Sequence, residues 1–264
     1  MNAPDFPVIL LARPAGWPVG QTPRERAIEK AHAPMPSYRL SPNIHFCVCD
    51  DALIFLDVAR DTYFRFSGRQ RDWFESIRAA GANQDLNGPE AGFAERLVAK
   101  QILTRDRQTG VPLSAACFTP PVACLSRLAC TDTSTRVVPT AGHMMLATLS
   151  AWWLEHACRF EHVVASVQQW KANTARRPAP SVEHVLELAS RFHALTPYFF
   201  STHDACRFRS LALIRFLTVF GVQADWVFGV RLCPFGAHCW VEYNGVILNE
   251  DLDTVTEFRP IMTI

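Results

Sequence analysis

The sequence predicts an α+β protein of two units, and three observations lead there. Short β-rich runs backed by helices occupy residues 38–106. A stretch rich in Pro, Thr and Ser covers 107–140 and reads as a linker. Apolar helices followed by aromatic-rich strands fill 141–264.

The bulk composition agrees. With 264 residues, 49% of them apolar, the chain can bury one or two real cores. A formal charge of +1 supplies no basic field, so no nucleic-acid partner is implied. Nine cysteines, an odd count without a CxxC pair, read as reduced thiols in the cytoplasm. The N-terminus lacks the basic stretch of a signal peptide. The longest apolar run, 144–154, is too short to span a bilayer, so no membrane partner is expected.

Residues 1–37 carry seven prolines and little periodicity, the mark of an extended arm. Strands are expected at 45–49, 52–58 and 62–66, separated by Asp50-Asp51 and Ala59-Arg60-Asp61. A helix over 69–80 places Trp73, Phe74 and Ile77 on one face. A loop at 81–88 leads to a helix over 91–101 with Phe93, Leu97 and Val98 as its stripe. Two or three helices are expected across 141–170, a loop to Ser181, then a helix over 182–194. Asp204 is placed to cap the next helix and Gly221 to end it. Strands follow at 224–231 and from His238, and Tyr243-Asn244-Gly245 marks a hairpin before 246–250.

The chemistry concentrates at Cys206 and His238. Cys206 falls in the first turn of its helix, where free N–H groups and the dipole favour a thiolate. His238 opens a strand, and the acidic pair Glu250-Asp251 ends the next one. A lone cysteine is ordinarily a small buried hydrophobe. The joint pattern of helix-start Cys, strand-start His and following acid is what suits nucleophilic catalysis. Which acid meets His238 depends on the hairpin. A two-residue loop pairs Tyr243 with Val246 and sets Asp251 opposite His238. A three-residue loop with Gly245 in a bulge sets Glu250 there. Asn-Gly suits either. No GxxxxGK phosphate loop and no HExxH metal motif occurs.

The stretches Cys206-Arg-Phe-Arg-Ser-Leu-Ala-Leu, Gly221-Val-Gln-Ala, Val227-Phe-Gly-Val-Arg and Ala237-His-Cys-Trp-Val-Glu-Tyr-Asn-Gly-Val-Ile-Leu-Asn249 resemble the leader peptidase of lasso peptide biosynthesis. That family is a transglutaminase/papain-like cysteine protease. The resemblance implies Cys206 as nucleophile, His238 as base and Glu250 as the acid, here Glu where the family has Asp, with Asp251 as the alternative. It extends over 140–264. Residues 38–106 resemble its PqqD-like winged-helix recognition element. There a leader peptide adds as a strand beside the third strand, which here implies Thr62, Tyr63, Phe64, Arg65 and Phe66, and packs on a helix, here Phe93 and Leu97. The family works with a separate ATP-using cyclase, and ATP dependence is attributed to some members.

The expectation is therefore an arm at 1–37, a leader-recognition domain at 38–106, a linker at 107–140 and a cysteine-protease domain at 141–264. Its function would be leader removal from a ribosomal precursor peptide, with no cofactor or metal evident in the sequence. The alternatives are acyl transfer on the same triad, since fold does not settle chemistry, and non-catalytic peptide binding.

Overall fold

The computed structural model describes residues 38–80, 86, 88–115, 117–128, 137–174, 178–200 and 206–264. The expected arm at 1–37, most of the 81–88 loop and the Asp204 cap lie outside the described residues.

The N-terminal unit holds a three-stranded antiparallel sheet of β2 (Ile44–Cys49), β3 (Ala52–Asp57) and β4 (Thr62–Phe66), in that order. Asp50, with φ 53°, turns β2 into β3. Its neighbours Cys49 and Ala52 pair across the turn. At the next turn the buried Asp57 carboxylate accepts from the Arg60 backbone N–H at 3.0 Å and pairs with its guanidinium at 2.5 Å. Side chains alternate faces along each strand. Phe46, Leu53, Phe55 and Phe66 point one way, onto Phe74 and Ile77 of α1 (Arg69–Ala80) and Phe93 and Leu97 of α2 (Pro89–Ala99). The short pair β1 (Arg39–Leu40) and β5 (Leu103–Thr104) closes this unit.

The opposite face of that sheet is also covered. Cys47, Cys49, Ile54, Leu56 and Val58 belong to the main core of the C-terminal half. All six residues of β3 are buried, which is why Ala52-Leu-Ile-Phe-Leu reads as an unbroken apolar run. The unit at 38–106 thus has one private core and one shared with the rest of the chain.

The C-terminal half is a five-stranded sheet with its long helices on one face and one short helix on the other. The order is β10 (Arg259–Thr263), β7 (Asp225–Arg231), β8 (Gly236–Tyr243), β9 (Val246–Ile247) and β6 (Ala123–Cys124). Strand β6 comes from the stretch read as linker. It pairs parallel with β9, and α3 (Leu125–Leu128) follows it. Helices α4 (Val137–Ala157), α5 (Phe160–Thr174) and α6 (Val182–Phe199) surround the buried α7 (Cys206–Val219); α8 (Leu252–Thr256) precedes β10. Ser181 caps α6, accepting from the His184 N–H at 3.3 Å. Gly221, with φ 85°, ends α7: its N–H bonds the Thr218 carbonyl at 3.1 Å and Val222 bonds that of Leu217 at 3.1 Å.

Gly229 of β7 pairs with His238 of β8. A Cβ there would stand 2.7 Å from the Trp240 ring and 2.9 Å from Phe258, so a side chain would push the strand off its neighbours. Among the described residues no helix is long and apolar enough to cross a membrane.

Candidate active site

Cys206 is the first residue of α7, and the helix that follows is anchored by buried side chains from Ser210 to Thr218, Arg215 excepted. Strand β8 runs beside it. His238, Trp240 and Glu242 lie on one face, and Cys239, Val241 and Tyr243 on the other, packed into the main core. The Cys206 thiol is electrostatically linked to the Cys239 thiol and the His238 ring. On its far side His238 Nε2 lies 3.3 Å from Glu250 Oε1. That is within ion-pair reach but off the line of a well-aligned hydrogen bond. With Nε2 on the carboxylate, Nδ1 is the nitrogen left for the thiol. The imidazole lies beside Trp240 and Phe258, with ring centres 6.3 and 5.3 Å away.

These contacts set the charges. The hydrogen bond from the Cys239 thiol draws the Cys206 pKa down most, burial opposes it, and the bond and charge of His238 add to the fall, to about 4. Burial pulls His238 down, but its bonds to Cys206 and Glu250 outweigh that and lift it to about 9. Cys239 moves the other way: full burial and the Cys206 thiolate push its pKa up, so it stays an S–H donor. Between these limits the site is a thiolate–imidazolium pair beside a carboxylate. Such a pair can attack a carbonyl carbon and then protonate the leaving amine.

Glu250 reaches His238 by a route other than the expected one. The hairpin has a two-residue loop: Tyr243 pairs with Val246, with Asn244 at φ 50° and Gly245 at φ 78°. The three-residue bulged loop that would favour Glu250 is not formed. The frame shifts later. The Val241 N–H bonds Asn249 Oδ1 at 2.8 Å, while the Leu248 carbonyl accepts from His193 Nε2 at 2.7 Å. Asp251 turns away and accepts from Ser126 Oγ at 2.6 Å.

Residues 146–263 match the family model described as Transglutaminase-like superfamily. This stretch is a transglutaminase-like domain. The superfamily carries cysteine-protease and transglutaminase chemistry. No curated protein and no solved structure matches the chain. The transglutaminase-like domain begins within α4, ends in β10 and includes Cys206, His238 and Glu250. Strand β6 and the whole N-terminal unit lie outside it.

The N-terminal unit nevertheless touches the domain beside Cys206. Arg207 is bound by Asp61 at 2.8 Å and Glu155 at 2.7 Å. Tyr63 packs edge-on against Phe235, ring centres 5.9 Å apart, and burial, with Cys239, Asp61 and Cys206 nearby, raises its pKa. Along β4, Thr62 and Arg65 are exposed, Tyr63 and Phe64 half-buried and Phe66 buried. No strand pairs with the outer edge of β4 among the described residues. Phe93 and Leu97 are interior residues of the private core, 5% and 3% exposed, and offer no surface to a ligand in this conformation. Sequence reasoning missed Cys239, Asn249, Ser210 and His193. Only Cys239 carried a signal, as the neighbour of His238 facing α7.

Proposed function

We propose that this protein is a cytoplasmic cysteine peptidase that removes the leader segment from a ribosomally made lasso precursor, freeing the core for a separate cyclase. The chemistry rests on one observation: Cys206, first residue of α7, has its pKa drawn down by Cys239 and His238, and His238 has Glu250 at 3.3 Å. The substrate rests on the resemblance of 206–249 to lasso leader peptidases. The outer edge of β4, unpaired among the described residues and directly following Asp61, supports peptide docking by strand addition. All eight described cysteines are free thiols, which suits a reducing compartment.

The steps balance with water as the only co-reactant. The Cys206 thiolate attacks the carbonyl carbon of the last leader residue, forming a C–S bond and a tetrahedral oxyanion. That intermediate collapses, the C–N bond breaks, and His238 gives its proton to the leaving core amine. The leader remains as a thioester on Cys206. Neutral His238 then takes a proton from water, whose oxygen attacks the thioester. The C–S bond breaks and the thiolate–imidazolium pair is restored. Glu250 stabilises the imidazolium at each stage.

The test is incubation of the full chain with a lasso precursor peptide, read by mass spectrometry. The expected products are free leader, heavier by one water across the cut, and free core. Cys206→Ala should bind the peptide and leave it whole. Leader joined to an added amine would mean acyl transfer. Cleavage by Cys206→Ala would overturn the assignment of the nucleophile, and binding without turnover by the native chain would favour a non-catalytic peptide-binding role.

A further inference from the structure

We infer that Asn249 is a positioning residue that decides which of two adjacent carboxylates meets His238. The inference rests on the reading of Cys206 and His238 as the catalytic pair. With the two-residue loop, Tyr243 pairs with Val246 and Glu242 with Ile247. Continued without interruption, the ladder would set Val241 opposite Leu248, Cys239 opposite Glu250 and His238 opposite Asp251. Glu250 would then point to the core face with Cys239, and Asp251 would face the imidazole.

The ladder is interrupted at one bond. Leu248 still donates its N–H to the Val241 carbonyl at 2.8 Å. The return bond is missing, because the Val241 N–H goes to Asn249 Oδ1 and the Leu248 carbonyl to His193. The side chain of Asn249 stands in for a backbone carbonyl, the chain bends at 248–250, and the returning segment reaches His238 one residue early. Glu250 steps into the place that regular pairing reserves for Asp251. The other end of the amide is fixed too. Asn249 Nδ2 donates to Ser210 Oγ at 2.9 Å, and Ser210, fully buried one turn from Cys206, donates to the Cys239 carbonyl at 3.3 Å. One amide thereby joins the helix of the thiol, the strand of the imidazole and the segment of the acid. Without it, Val241 keeps a buried N–H that needs an acceptor. Its partner in regular pairing is the Leu248 carbonyl, and taking it restores the regular frame.

The test reads the pair without any peptide substrate, so its failure leaves the peptidase reading standing. The full chain is alkylated with iodoacetamide at about pH 5, just above the Cys206 value of about 4, and modification of the Cys206 peptide is timed by mass spectrometry. With Asn249 in place, Glu250→Gln should slow alkylation about twofold, the loss of thiolate at this pH when the pKa rises by one unit, and Asp251→Asn should leave it unchanged. In Asn249→Ala the sensitive acid should exchange: Asp251→Asn slows the reaction and Glu250→Gln does not. Asn249→Asp keeps an acceptor for Val241 and should retain the native order. Where Asn249→Ala fails to fold, Asn249→Leu keeps the volume, removes both bonds and should show the same exchange. If Glu250 remains the sensitive acid in these backgrounds, or both acids lose influence equally, Asn249 is only structural and the inference fails.

Discussion

Nη1 of Arg207, the residue after the candidate nucleophile, lies 2.8 and 3.1 Å from the two carboxylate oxygens of Asp61, the residue before β4. Both side chains are partly exposed, so the pair contributes at most about 1 kcal/mol to stability. Its role is alignment: it pins the N-terminal sheet to the first turn of α7. The larger attachment is the apolar face of that sheet.

Residues 38–110 made alone should therefore be poorly folded. Cys47, Ile54, Leu56 and Val58 would lose their cover, and burial of a side chain of the Val, Leu or Ile type contributes about 1.5–3 kcal/mol. We expect a single thermal transition for the full chain, and hydrophobic-dye binding with a lowered transition for the fragment. Two separate transitions, with the fragment as stable alone as in the whole, would mean that the shared core contributes nothing.

The charges of the site predict a wide pH plateau. Cys206 is a thiolate above about 4, and His238 is an imidazolium below about 9. Falling pH protonates the nucleophile at the lower limit. Rising pH removes the proton destined for the leaving amine at the upper one. Peptide cleavage should hold between these limits. An acid limb near the ordinary thiol value of 9.0 would contradict the ion pair.

Cys239 should matter to Cys206 without touching substrate. Cys239→Ala removes the hydrogen bond with the largest influence on the thiolate, so the acid limb of Cys206 alkylation should move to higher pH. Cys239→Ser keeps a donor and should move it less. Equal limbs in the native chain and Cys239→Ala would remove Cys239 from the site.

Gly229→Ala should lower the melting temperature by the equivalent of about 1–3 kcal/mol, the range for overpacking. The added methyl, on the residue paired with His238, meets the Trp240 ring at 2.7 Å. Cleavage should fall with it, and calorimetry of the two proteins provides the check.

The placement of Cys206 and His238 was legible because helix starts and strand starts are local patterns. So was Gly221, whose positive φ only a helix end requires. The choice between Glu250 and Asp251 was not readable from the turn, since Asn244-Gly245 serves both loop types. It depends on His193 and Ser210, which arrive from two separate helices. The periodicity of Phe93 and Leu97 read as a core face, and only the resemblance assigned the two to a peptide; their burial agrees with the periodicity. Period two put Cys47 and Cys49 on one side of a strand, and only the folded chain reveals that side to be the seam between its halves.

That seam fixes a length. With one face of the β2–β3–β4 sheet cast into the transglutaminase-like body, the span from the outer edge of β4 to the sulfur of Cys206 is a constant of the molecule. An extended chain gripped at that edge advances about 3.3 Å per residue toward the thiol. On the proposed reading, a precursor gripped at that edge would be cut a set number of residues from the grip, by distance before spelling.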